Sequence, residues 1–147
     1  GKKNRILIDL VIRRINHLFL GHHSRRECLC QPMNIDDLTE KINQFASERD
    51  WDQFHTPKNL ASSISIESGE LMETIQWESP TFKEVANNPE KRKKIEEELA
   101  DVMIYSLRFC SKLGSDPIEI MHSKMEENSE KYPVSKSKGS AKKYDEL

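Results

Sequence analysis

The sequence predicts an all-α fold, a four-helix bundle-type protomer, and three observations carry that prediction. A capping side chain followed by proline occurs as Thr56-Pro57, Asn88-Pro89 and Asp116-Pro117. A side-chain acceptor at the N-cap, with proline in the first turn, is how many helices begin. Between these marks apolar residues recur at three- and four-residue intervals. No run of alternating β-branched residues competes with them, and the chain has no internal repeat.

Ile35, Leu38, Ile42 and Phe45 follow Asn34 at helical spacing and predict a first helix to about Asp50. Thr56-Pro57 opens a second helix, expected to run to about Trp77. Asn88-Pro89 opens a third that ends at Gly114, because glycine readily takes the left-handed conformation that closes a helix. Asp116-Pro117 opens a fourth, which must stop before Pro133. The expected domain therefore covers residues 33–133.

The flanks read differently. In "RILIDLVIRRINHLFL" Asp9, Arg13 and Arg14 interrupt the apolar patches, which makes the stretch too short and too charged to span a bilayer and a poor signal-peptide core. Residues 1–32 read as an appendage of open role: a tag remnant, upstream translation or a native amphipathic extension. His22 and His23 fall there and receive no role. Residues 134–147, with "SKSKGSAKKYDEL", have the composition of a flexible polar tail.

Composition narrows the class. In 147 residues, 35% hydrophobic against 33% charged suits one compact domain with charged ends. With 23 basic and 25 acidic residues the net charge is -2, so no nucleic-acid or membrane partner is expected. Cys28, Cys30 and Cys110 are few and odd in number, and "CLC" lacks the CxxC spacing of a zinc or redox site. A reducing cytoplasm is the expected setting.

One pattern conflicts with a simple bundle. At about 100° per residue, Leu60, Ile64, Leu71 and Ile75 share one side of the second helix, and Glu67 points into the middle of it with Glu70 on its flank. On the third helix Ile95, Leu99, Val102, Ser106, Phe109 and Leu113 form the expected apolar face, with Glu98 and Asp101 at its edge. Each helix carries an i, i+3 acid pair whose Cβ atoms lie about 5–6 Å apart. An ExxE or ExxD alone is ordinarily a solvated helix face. Two such pairs on facing helices would repel or take up protons unless a cation sat among them. From spacing alone a metal site and a solvated acidic face both stand. Were a metal present, oxygen donors without His or Cys would suit Mg²⁺ or Mn²⁺ rather than zinc or iron, and Mg²⁺ commonly binds substrate phosphates. No GxxxxGK[ST] loop is present, which excludes a P-loop enzyme.

"WDQFHTPKNLASSISIESGELMETIQW", "EEELADVMIYSLRF" and "KMEENSEKYP" together resemble the MazG-like all-α nucleoside triphosphate pyrophosphohydrolases, most closely their dCTP pyrophosphatase branch. The resemblance covers about residues 34–133. It implies Mg²⁺-dependent hydrolysis of a (d)NTP to the monophosphate and pyrophosphate by a homodimer or homotetramer. It also implies that Glu67, Glu70, Glu98 and Asp101 are the catalytic metal ligands. A nucleobase needs a flat apolar platform with some polar groups, and Trp51, Phe54, His55, Trp77 and Tyr105 match the positions that line the pocket in that branch. Lys58, Lys124 and Asn128 are candidates to hold phosphate oxygens. Two alternatives remain at this level: a phosphoribosyl-ATP pyrophosphohydrolase, and a non-catalytic helical module with a structural ion.

Overall fold

The structure is a computed structural model that describes residues 33–146. The expected appendage, residues 1–32, lies outside the described residues. Among the described residues every regular element is helical, and no helix is long and apolar enough to cross a membrane.

The described residues fall into two units that divide between Leu38 and Thr39, inside the first helix, α1 (Ile35–Ser47). In the first unit Asn34 Oδ1 accepts from the Asp37 N–H at 2.8 Å, and Asp37 Oδ2 accepts from the Asn34 N–H at 3.3 Å. This is a reciprocal cap with Asp in the place of the usual Glu.

The second unit holds everything else. α1 closes on a left-handed Asp50, φ 53°. There the Trp51 N–H reaches Ala46 O at 3.0 Å and the Asp50 N–H reaches Ser47 O at 2.9 Å. These two bonds form a Schellman motif. A 3-10 turn, Asp52–Phe54, leads to α2 (Pro57–Glu73), where the Thr56 hydroxyl accepts from the Asn59 N–H at 3.2 Å. After α3 (Phe82–Ala86) comes α4 (Pro89–Leu113), where Asn88 accepts from the Lys91 N–H at 3.0 Å. α4 ends on a second Schellman motif: Gly114 has φ 73°, and the Ser115 N–H reaches Cys110 O at 3.0 Å. α5 (Pro117–Lys131) is capped by Asp116, α6 (Val134–Ser137) follows Pro133, and a 3-10 turn covers Tyr144–Glu146. The four expected helices are thus α1, α2, α4 and α5.

Two features depart from the sequence reading. α2 stops at Glu73 rather than near Trp77. Thr74 Oγ1 donates back to Leu71 O at 2.8 Å, and the Ile75 N–H takes Met72 O at 3.1 Å. Such three-residue bonds tighten and end a helix. α3 was not expected; a capping box makes it, the Thr81 N–H donating to Glu84 Oε2 at 2.7 Å and the Glu84 N–H to Thr81 Oγ1 at 3.3 Å. Residues 134–146 carry the short α6, and Tyr144 makes an edge-on contact with Tyr132 at 6.1 Å.

α2 packs against α4, and α3 leans on α4, while α5 touches the other described elements only lightly. α2 and α4 run antiparallel, since Glu67 meets Asp101 while Ser63, a turn earlier, meets Tyr105. The inward face of α4 is not the one its apolar residues suggest. Asp101 and Arg108 are buried, whereas Leu99, Met103 and Leu113 are exposed. On a helical wheel the two faces lie nearly opposite, about 170° apart. The described residues bury only Ala46 and Leu60 of their apolar side chains.

Gly114 tests the α4 terminus. A Cβ there would meet nothing within 4 Å, so Gly114→Ala brings only the backbone cost of a left-handed alanine, about 1–2 kcal/mol. Urea unfolding should show that loss, with Gly114→Asn losing less. Equal stability of the alanine variant and the parent would mean that the left-handed cap does not persist.

Candidate active site

The i, i+3 spacing brings each acid pair to one side of its helix, and antiparallel packing turns the two pairs toward each other. Carboxylate oxygens of Glu67, Glu98 and Asp101 lie within 4.8 Å of one another. Glu67 is fully buried and Asp101 is 9% exposed. Glu98 Oε2 is buried with no hydrogen-bond partner among the described residues. Glu70 stands outside this close trio. Its charge is nevertheless the largest carboxylate influence, after burial, on both Glu98 and Asp101.

Burial, then the charges of Glu70 and Asp101, push Glu98 above the ordinary carboxylate range. Burial, then Glu70 and Glu97, push Asp101 up to about 6. Desolvated acids crowded together bind protons or a cation. An all-oxygen donor set with an orphaned buried carboxylate oxygen suits a hard divalent cation, which these residues could hold.

Tyr105 lies one turn beyond Asp101 on the same face of α4. Burial, reinforced by the charges of Glu67 and Asp101, holds its hydroxyl far above the ordinary tyrosine range. The hydroxyl therefore keeps its proton and stays a donor. Its neighbour across the interface is Ser63, buried on α2, whose own hydroxyl donates to Asn59 O at 3.0 Å.

A second polar centre sits toward the N-terminal end of α2. Arg108, only 4% exposed, donates from Nε to His55 Nδ1 at 3.1 Å, from Nη1 to Asn43 Oδ1 at 2.6 Å and from Nη2 to Asp52 Oδ1. Lys112 Nζ also donates to Asp52 Oδ1, at 3.1 Å, and Asn43 Nδ2 donates to Ser111 Oγ at 2.7 Å. These two cations hold the Asp52 carboxyl below its usual range. Burial, then the charge of Arg108, holds His55 below the usual histidine range. Sequence reasoning singled out His55 but missed Arg108, Asn43, Asp52 and Ser63. Arg108 carried one available signal: it follows Asp101 by seven residues and therefore shares its face.

The other expected residues are placed as follows. Trp51 is half-buried and packs edge-on to Phe45 at 5.7 Å, with the Arg49 guanidinium 3.6 Å over the Phe45 ring. Phe54 is exposed, and its carbonyl accepts from Asn59 Nδ2 at 2.8 Å. Lys58 is exposed on the first turn of α2. Trp77, 88% exposed, lies in the turn after α2, so its position does not follow from helical periodicity. Lys124 pairs with Glu127 at 2.6 Å on α5, and Asn128 is half-buried one turn on. The structure thus clusters Glu67, Glu98 and Asp101 with Glu70 and Tyr105 near them, and carries Lys124 and Asn128 on the lightly packed α5. A separate polar cavity of about 290 Å³ is lined by Glu78, Ser79, Pro80, Glu84, Asn88 and Lys91, and contains none of the expected site residues.

An antiparallel helix pair with buried acids at its centre defines a class of all-α proteins, and the comparisons say which one. A model of the MazG-like family matches residues 62–147, which include all four acids. Mouse (Mus musculus) dCTP pyrophosphatase 1 is 41% identical over 114 residues, 77% of this chain and 67% of that protein. The human (Homo sapiens) protein of the same name is 36% identical over 115 residues, with the same coverage of each. A crystal structure of a pyrophosphatase from Archaeoglobus fulgidus is similar at a TM-score of 0.62 and 39% identity, covering 77% of this chain and 98% of that one. The chain belongs to the MazG-like family.

The raised acid yields a pH test. Because Asp101 titrates near 6 when folded, against an ordinary 3.8, it stabilises the cation-free fold fully below about pH 4, and this is lost as pH rises through about 6. Asp101→Asn has no such loss. In EDTA its melting temperature, measured relative to the parent, should therefore rise between about pH 4 and pH 7. A divalent cation should raise the parent's melting temperature above pH 6 and do little for the variant. A pH-independent difference would contradict the burial of Asp101 among acids.

Proposed function

We propose that this protein is a Mg²⁺-dependent nucleoside triphosphate pyrophosphohydrolase that converts a dNTP, dCTP or a close relative of it, to the monophosphate and pyrophosphate. The observation that carries this reading is the trio Glu67, Glu98 and Asp101, whose oxygens converge within 4.8 Å at a buried helix interface. Relatives named dCTP pyrophosphatase 1, 36–41% identical, support the choice of substrate.

In this reading Glu67, Glu98 and Asp101, with Glu70 beside them, hold Mg²⁺, which supplies neutralisation of the triphosphate charge when bound. Glu70, outside the close trio, is the candidate to orient water toward the α-phosphorus and to accept its proton on a carboxylate oxygen. Tyr105, held as a donor, is positioned one turn from Asp101 to meet the nucleotide. Trp51, Phe54, His55 and Trp77 supply base-stacking and polar contacts, and Lys58, Lys124 and Asn128 contact phosphate oxygens.

The active form is a homodimer or homotetramer. Leu99, Met103 and Leu113 on α4 and Ile118, Met121 and Met125 on α5 are all exposed, while the described residues bury little apolar surface. A second copy would cover these faces through a two-fold interface made by the same patch on both chains. Lys124 and Asn128 lie on the helix such an interface would engage, so their phosphate contacts belong to the assembly. The catalytic domain of this reading starts near Met33.

Incubation with a panel of dNTPs and Mg²⁺ should release pyrophosphate and the monophosphate. Glu67→Gln keeps shape and removes a negative donor, so turnover should fall at least about a hundredfold, beyond the roughly 10- to 100-fold losses of outer-sphere changes. Circular dichroism should show its helices intact. Near-parent turnover would sink the metal assignment. In light scattering at micromolar concentration, twice or four times the single-chain mass is expected, and an active monomer would refute the assembly.

A further inference from the structure

Arg108 has no part in the reading above, yet it is buried and donates from all three guanidinium nitrogens, to α1, to the 3-10 turn and to the segment before α2. Arginine offers only donors and does not lose its proton. The ring nitrogen that faces Arg108 Nε at 3.1 Å, His55 Nδ1, must therefore present its lone pair. An imidazole with a lone pair on Nδ1 carries its single proton on Nε2. Asn43 and Asp52 hold the other two nitrogens of the guanidinium, which leaves the fork no freedom to turn from the ring.

The location gives this arrangement a use. Asp101, Tyr105 and Arg108 follow one another at i, i+4 and i+7, so one face of α4 leads from the acids to His55 over about 10 Å. With phosphates at the acids, the nucleoside part of a substrate extends along that face. We propose that Arg108 is a positioning residue that fixes His55 with its proton on Nε2, so that the ring meets the base only as a hydrogen-bond donor. Where that proton meets N3 of a pyrimidine, the base that fits is one that accepts there, as cytosine does, and not one that carries N3–H, as thymine and uracil do. The inference rests on the pyrophosphohydrolase reading. Burial and the charge of Arg108 reinforce it, since both disfavour a second proton on His55.

The test compares kcat/KM for dCTP and dTTP in the parent, Arg108→Met, His55→Phe and the double variant, and records the imidazole ¹⁵N spectrum of His55. In the parent spectrum Nδ1 should be unprotonated and Nε2 protonated. Arg108→Met should lower the dCTP-to-dTTP ratio on the order of tenfold, the effect of one misdirected buried hydrogen bond, mostly through KM. Adding Arg108→Met to His55→Phe should change the ratio no further, because the arginine acts through the histidine. Additive losses, an unchanged ratio in either single variant, or a proton on Nδ1 would overturn the proposal. If Arg108→Met does not fold, the parent spectrum and the His55→Phe ratio decide. No pyrophosphate from the parent with any dNTP would overturn the function reading and this inference with it, whereas pyrophosphate with an unchanged ratio overturns this inference alone.

Discussion

Like charges buried between two helices are the constraint on which the rest of this molecule depends. Glu67, Glu98 and Asp101 occupy interface positions that a simple bundle gives to leucine, and Glu70 adds its charge from the flank. Removing a carboxylate from water costs several kcal/mol unless a proton or a counter-charge compensates it. The fold is therefore linked to whatever occupies the acids, and a cation that binds them contributes directly to stability.

Polar groups at the helix interface displace apolar ones outward. The face of α4 that carries Asp101, Tyr105 and Arg108 turns toward α2, and Leu99, Met103 and Leu113 are left exposed. The two ends of the α2–α4 interface also differ in charge balance. At the N-terminal end of α2, Arg108 and Lys112 surround Asp52 and the local charges are met within the chain. At the acid end, burial and the crowding of like charges raise Glu98 and Asp101, and the Tyr105 hydroxyl lies one turn away. The asymmetry sets a direction along the interface, with crowded carboxylates at one end and a hydrogen-bonded framework at the other.

Much of the fold was legible because helix ends are local chemistry. Thr56, Asn88, Asp116 and Gly114 act on groups within a few residues of themselves, and all four end or begin a helix as their types suggest. The capping box of Thr81 and Glu84 belongs to the same legible class, although it went unread. The early end of α2 was harder, because Thr74 can continue a helix or bond back to Leu71, and nothing in its neighbours decides between them.

By itself the sequence determined the helices and the i, i+3 register that puts two acids on one side of each, since both follow from a 3.6-residue period. Tertiary structure alone decided which face of α4 turns inward. The apolar stripe pointed to Leu99 and Leu113, but a helix buries the face that its partner satisfies, and here that face is Asp101 and Arg108. Tertiary structure also decided that Glu67, Glu98 and Asp101 converge while Glu70 stands apart, and that His55 receives its hydrogen bond from a residue 53 positions away. These outcomes depend on how two helices cross, and a crossing is set by every side chain between them at once. No spacing along one chain segment encodes it.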